Sequence, residues 1–337
     1  MGNFIIPVFE PWQNEKLILK LQKNRAVKGK SLTIKSSHLD IVQSQRYRDL
    51  TLRLKIQSSQ AQQHVVSLPN VKELSSLTID GVAYFLKVDE HKVSLPLKAK
   101  SQKIVMKWRE EQGASMNYAF SNIDLGKNSV NANLKLILPQ KQWILFTSGP
   151  LLGPAVLLWG MLLAVVLFSF ILGRIKNNPL KTSDWVLLGI GVSTSSLLVM
   201  IPIVAWILLL RYKDLNAQSL GRRTKNAIQI AIVLLTFIAL SSIVGAVSVG
   251  LLGNPEMMIQ GNNSYGHTLN WYSDRIGSEL ERPTVISVSI WYYRALMLLW
   301  AMWISFSLIR WLTWAWLVFS KGGMWSSKRV MVLEEGK

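Results

Sequence analysis

AVLLWGMLLAVVLFSFILG, residues 155–173, carries no charged side chain, and comparable apolar blocks recur at 185–210, 227–252 and 286–309. About 20 apolar residues in a helix span the ~30 Å hydrocarbon core of a bilayer. Four such blocks behind a long stretch of different texture predict an α+β membrane protein. The expected parts are a β-domain over 1–147, a bundle of about four hydrophobic helices over 148–325, and a short polar tail at 326–337.

Composition narrows the class. Of 337 residues, 38 are Lys or Arg and 19 are Asp or Glu. The first 142 hold 22 of the basic and 11 of the acidic residues, a net charge of +11, scattered along strand-like sequence. Scattered charge without a recognition motif does not predict a nucleic-acid partner. A basic domain beside anionic lipid headgroups is the simpler use of it. There is no cysteine, which excludes disulfides, thiolate metal sites and thiol nucleophiles. The start, MGNFIIPVFEPWQNEK, lacks the basic region and apolar core of a secretory signal, and Ile6 spoils the myristoylation pattern begun by Gly2. Because the chain opens within strand-like sequence, it is expected to be the C-terminal part of a longer polypeptide whose export signal lies upstream.

Residues 15–147 alternate apolar and polar with period two, the mark of strands with one buried face. Leu50, Leu52, Leu54 and Ile56 point one way while Thr51, Arg53 and Lys55 point the other. Val130, Ala132, Leu134, Leu136 and Leu138 repeat the pattern. So do Val93, Leu95, Leu97 and Ala99, where Pro96 marks an edge strand. The stripes Leu17/Leu19/Leu21 and Ile104/Met106/Trp108 complete the core faces, and Asp80-Gly81 after Leu77 and Ile79 is a favoured hairpin turn. About nine short strands predict an antiparallel β-sandwich of jelly-roll type, a domain suited to binding or bracing. His38, His64 and His91 stand isolated, so no metal or other cofactor is expected. Trp12, Trp108 and Trp143 read as core or interface residues, with a sugar-stacking platform as the alternative. Glu110-Glu111 beside Arg109 reads as a solvated loop.

Basic residues cluster at Arg174/Lys176/Lys181, at Arg211/Lys213/Arg222/Arg223/Lys225 and at Arg310/Lys321/Lys328/Arg329, while the connector 253–285 nets −2. If 185–210 crosses the membrane, the first two clusters lie on opposite sides, and the β-domain is best placed inside. If it enters and returns, all three clusters are cytoplasmic, and the β-domain and connector lie outside. Ser193-Thr194-Ser195-Ser196 and Pro202 interrupt this block, and neighbouring protein groups can satisfy the backbone such a break frees. The favoured arrangement is therefore a periplasmic β-domain on a multi-pass protein of the bacterial inner membrane. In the last block, Arg294 and Arg310 either snorkel to headgroups, or Arg294 holds an anionic headgroup or a bundle carboxylate. In the connector, His267, Asp274 and Arg275 form either a small polar site or an ordinary solvated loop.

The runs GPLLGPAVLLWG (149–160), GRIKNNPLKTSDWVLLGIG (173–191), LLGNPEMMIQGNNS (251–264), LNWYSDR (269–275) and RALMLLWAMWISFSLIRWLTWAW (294–316) carry a resemblance. They resemble the C-terminal part of a family of uncharacterised proteobacterial multi-pass inner-membrane proteins. That resemblance implies further extracytoplasmic β-rich regions ahead of the matching part, and no activity. A weaker similarity over 179–191, with the plan of β-domain plus spans, is to CreD-type cell-envelope proteins, and it implies that 185–210 is an ordinary crossing.

No Gly-x-Ser-x-Gly, His-Glu-x-x-His or P-loop pattern occurs, so no catalytic residue is expected. The expected function is that of a non-enzymatic integral envelope protein, its partners being the lipid bilayer and an envelope protein bound or braced by the β-domain. The alternative is a transport or lipid-handling accessory that uses the helical bundle and Arg294. Four segments without an internal repeat weigh against a transporter.

Overall fold

A computed structural model describes residues 31–321 except 69, 72–73, 86–87, 176–179, 194–196 and 217–220. Trp12, the Leu17/Leu19/Leu21 stripe and the tail 326–337 lie outside the described residues. Among the described residues, eleven strands precede the helices. They are β1 (Leu32–Gln43), β2 (Arg48–Ser58), β3 (Gln62–Ser67), β4 (Leu74–Ile79), β5 (Val82–Ala83), β6 (Lys92–Leu97), β7 (Ser101–Glu110), β8 (Asn117–Ala119), β9 (Ser129–Ile137), β10 (Gln142–Ser148) and β11 (Ala155–Val156). Then come α1 (Leu158–Gly173), α2 (Thr182–Ser193), α3 (Leu197–Asn216) and α4 (Arg222–Leu252). Strands β12 (Ile259–Gln260), β13 (Thr268–Ile276) and β14 (Thr284–Ser289) intervene before α5 (Ile290–Ser320).

The α+β class is observed, but the sheet is mixed rather than antiparallel. Seven strands pair in the order β13-β9-β1-β2-β7-β4-β5, and β1 runs parallel to β9 while its pairing with β2 is antiparallel. A parallel pair needs a long crossover, and here the chain from β2 to β8 supplies it. The alternating residues behave as their period requires: Leu50, Leu52, Leu54, Leu134 and Leu136 are all buried. The two-stranded β3–β6 sheet and the β10-β14-β8 sheet add Val66, Leu95, Tyr118, Ile144 and Val285 to the same core. Asp80 and Gly81 both take positive φ, 53° and 83°, as a two-residue type I′ hairpin demands.

The connector between α4 and α5 is a structural part of this β unit. β13 pairs along its length with β9, and β14 pairs with both β10 and β8. Helix α5 therefore begins at Ile290 and runs on to Ser320, later at both ends than the apolar block suggested. A short apolar strand and the start of an apolar helix look alike in composition, and β14 took the residues in between.

The block 185–210 is two helices. Gly173 at the end of α1 lies against Thr182 at the start of α2, and Gly189 further along lies against Ser169 and Val165. α2 thus runs back along α1. On α3, Trp206 donates to Thr236 Oγ1 at 2.8 Å and Lys213 to Gln229 Oε1 at 2.5 Å, so α3 descends towards the start of α4. The α2–α3 pair begins and finishes at the same end of the helices, remote from the sheets. α4 and α5, 31 residues each, are long and apolar enough to cross a membrane, whereas α1 is apolar but has 16 residues.

Candidate functional site at the junction of sheets and helices

Three helices meet the β unit at their near ends. The backbone N–H of Leu158, which opens α1, donates to Met257 O at 3.3 Å, and that of Ile290, which opens α5, donates to Lys141 O at 2.9 Å. Between these points the chain leaving α4, residues 254–260, and the start of β10 border a partly open cavity of about 220 Å³. Gln142, Trp143, Glu256, Tyr265, His267 and Ile290 are among the residues that line it. The His267 Nε2–H donates to Gln142 O at 2.9 Å, since a carbonyl only accepts, and Trp143 Nε1–H meets Met257 Sδ at 2.9 Å. Gln142 Oε1 is buried with no hydrogen-bond partner among the described residues. Met258, in the 254–260 segment, holds φ at 51°, a strained conformation for a residue that is neither Gly nor Asn.

Of the expected connector site, His267 alone reaches this cavity. Asp274 and Arg275 sit at the far end of β13 and are exposed, roughly 23 Å along the strand at 3.3 Å per residue. There the Asp274 carboxylate raises the Tyr272 phenol above its ordinary value. The three residues do not form one site, because a strand separates what looked like a compact loop.

Arg294 lies one turn into α5 from Ile290, with its guanidinium 5.1 Å from the Trp291 ring. Its Nε is buried and has no hydrogen-bond partner among the described residues, and no carboxylate pairs with it. The bundle carboxylate belongs instead to Arg310, whose guanidinium lies 3.9 Å from Asp184 Oδ1 and donates to Ser307 Oγ at 3.0 Å.

Two further polar clusters escaped the reading of the sequence. Glu110, expected in a solvated loop, is 3% exposed and pairs with Arg48 at 2.5 Å. Trp108 Nε1 and Ser121 Oγ also donate to its carboxylate, and Arg48 reaches Tyr118 Oη and Ala119 O as well. The alternation that turns Trp108 inward turns Glu110 inward too, a signal that was present in the sequence. Lys213, counted among the loop charges, is buried: its ammonium donates to Gln229 Oε1 and to Phe319 O, the latter at 2.7 Å. A cation on the last carbonyls of α5 complements that helix's negative end. Both clusters are satisfied internally and are bracing. Among the described residues, no group of His, Asp and Glu is arranged to hold a metal ion.

No family model matches the chain, and no curated protein does. Solved structures that are similar in part include the M1 zinc metallopeptidase of Deinococcus radiodurans, at 8% identity over 35% of this chain and 34% of that one, with a TM-score of 0.28. A mutant of the same enzyme bound to a Tyr-Ser-Ala substrate gives 10% identity, 35% and 36% coverage and a TM-score of 0.27. The chain spans about a third of the length of those structures, and a likeness this slight carries no argument about fold or activity.

Proposed function

We propose that the chain is a multi-pass integral protein of a bacterial inner membrane, whose β unit stands on the periplasmic side as a non-enzymatic platform for an envelope protein. The observation that carries this is the return of α2–α3. It puts Arg174, Lys181, Arg211, Arg223, Lys225 and Lys321 at the one end of the helices away from the sheets, where the positive-inside rule wants the cytoplasm. Because β13 and β14 are built into the sheets, the β unit is held to α4 and α5 by paired backbone and cannot swing on a linker. Its outer edge offers a docking point. β5 pairs with Thr78 and Ile79, and the Tyr84 N–H donates to Leu77 O at 2.9 Å, which leaves Leu74–Ser76 of β4 without an outer partner among the described residues, near a fully exposed Phe85. Open strand edges recruit extended segments by backbone pairing. A photo-crosslinker at Phe85 in living cells is expected to trap an envelope protein, and one at Thr224 is not. No protein adduct at Phe85 contradicts the platform reading. The unpaired Nε of Arg294 favours the second reading, a lipid-handling accessory, which predicts lipid adducts near Arg294 instead.

A further inference from the structure

The β10-β14-β8 sheet, from which α5 issues, carries no charge: its strands of 7, 6 and 3 residues include no Lys, Arg, Asp or Glu. By contrast, β2 and β7 of the seven-stranded sheet hold four charged residues each. One face of the small sheet gives Tyr118, Ile144 and Val285 to the core. On the opposite face Phe146, Ile286 and Asn117 stand side by side, the first two 50% and 43% exposed. A sheet face turned to water is ordinarily polar. Alternation alone would put Phe146 on the buried face with Ile144. A bulge at Leu145 shifts the register and re-aims Phe146 outward. We infer that this open face is a lipid-contacting surface, seated in the headgroup and upper acyl layer of the periplasmic leaflet beside α1. The inference rests on the membrane reading proposed above.

The helices fix which way the face looks. Lys141, just before β10, accepts the N–H that opens α5. Phe146 stacks on Trp159 in the first turn of α1, with ring centroids 5.2 Å and planes 7° apart. Five residues of strand separate these points, about 16 Å at 3.3 Å per residue. Both helices pack against α2, where Gly189 lies against Val165 of α1 and Gly191 against Trp300 of α5. Two interhelical spacings cover about 16–20 Å, so β10 lies across the helix tops rather than standing on them. With the core above it, the open face is turned to the side from which α1 and α5 descend. The lengths agree. α1 has 16 residues, about 24 Å at 1.5 Å per residue, which falls about 6 Å short of the hydrocarbon core. Arg174 caps its far end, so the shortfall lies at its start, the level of Phe146 and Ile286. The exposed stripe Trp159, Leu163, Leu167 and Ile171 runs along α1 and continues onto Phe146. At that depth backbone polar groups need partners. β10 pairs with β14, and the carbonyl of the bulge residue Leu145 accepts from Trp159 Nε1 at 2.7 Å.

The test uses the full cysteine-free chain, reconstituted in nanodiscs of phosphatidylethanolamine and phosphatidylglycerol, with a nitroxide spin label on one introduced cysteine at a time. Oxygen concentrates among acyl chains and a nickel chelate stays in water, so collisions of each with the label read its depth. Phe146→Cys and Ile286→Cys are expected to lose nickel collisions and gain oxygen collisions relative to Phe85→Cys, moving towards the values of Leu163→Cys on α1. Ile286→Cys leaves the Phe146–Trp159 stack untouched and serves as the second variant. Nickel collisions at both sheet positions equal to those at Phe85→Cys, with Leu163→Cys in the acyl layer, overturn the inference and leave the membrane reading standing. Few collisions with either reagent mean that a second copy of the chain covers the face, which also overturns it. Nickel access at Leu163→Cys as well shows instead that the helices are not in the bilayer, the failure of the membrane reading itself.

Discussion

Trp300 on α5 donates its indole N–H to the backbone carbonyl of Leu187 on α2 at 2.9 Å, and the same ring lies directly on Gly191 one turn further along. This contact fastens the first limb of the returning pair to α5, one of the two 31-residue helices. It requires glycine at 191, because a Cβ there would penetrate the indole.

Gly191→Ala is therefore expected to destabilise the full chain in detergent by about 1–3 kcal/mol, the usual cost of overpacking. Gly245→Ala on α4, where a Cβ meets nothing within 4 Å, should be neutral or stabilising by up to about 1 kcal/mol. Thermal midpoints that move alike for the two variants would remove the close contact from the account.

The buried pair Arg48–Glu110 should be costly to break. Glu110→Ala leaves a guanidinium at 1% exposure without its counter-charge, for which about 3–5 kcal/mol is expected. The exposed pair Arg109–Asp49, with side chains 56% and 45% exposed, is screened by water, so Asp49→Asn should leave stability nearly unchanged. Denaturation of the two variants, followed by near-ultraviolet circular dichroism of the tryptophans, checks the contrast.

Acid should weaken the β unit through His64. Burial pushes its imidazole below the ordinary value of 6.5, with Lys127 adding to the effect and the Leu125 carbonyl opposing it. The unfolded chain therefore takes up the proton first, so the stability His64 contributes is complete above about pH 6.5 and is lost as pH falls towards its folded value. Nε2 is buried and has no hydrogen-bond partner among the described residues, so a proton there would meet no acceptor among them. His64→Gln should flatten the dependence of melting temperature between about pH 8 and about pH 5.5. A slope identical to that of the wild type would contradict the assignment.

Arg294 and Arg310 should respond differently to Lys. Arg310 is 60% exposed at its side chain, and its contact with Asp184 is a loose 3.9 Å, so Arg310→Lys should leave expression and bound lipid unchanged. Arg294→Lys replaces a planar donor fork with a point charge and should alter the lipid that co-purifies. Equal behaviour of the two would leave anchoring as the role of both.

Much of the β unit was legible from residues 50–56 and 130–138, because period-two burial follows from the pleat alone. The parallel β1–β9 pair was not legible, since alternation tells which face is buried and not which strand lies alongside. Strand β13 carried the signal in Leu269 and Trp271, both buried, but its place between apolar blocks made it read as a loop. That 185–210 is not one helix was signalled by its hydroxyls and Pro202, whereas the direction of α3 is set by Trp206 and Lys213 meeting α4, which composition does not encode. The junction cavity draws Gln142, Glu256 and His267 from separate elements, so no local motif announces it. Arg294 stood out as a lone charge in an apolar run, and what it lacks, a carboxylate, took the structure to see.

The same-sided return of α2 and α3 is tested most directly by single cysteines in this cysteine-free chain. Lys181→Cys lies between α1 and α2, Thr224→Cys at the start of α4, and Asn263→Cys beyond β12, all at exposed positions. A membrane-impermeant thiol reagent applied to intact spheroplasts is expected to label Asn263→Cys and to spare both Lys181→Cys and Thr224→Cys until the membrane is opened. Labelling of only one of Lys181→Cys and Thr224→Cys in intact spheroplasts would mean that residues 185–210 cross the membrane, and would contradict the account.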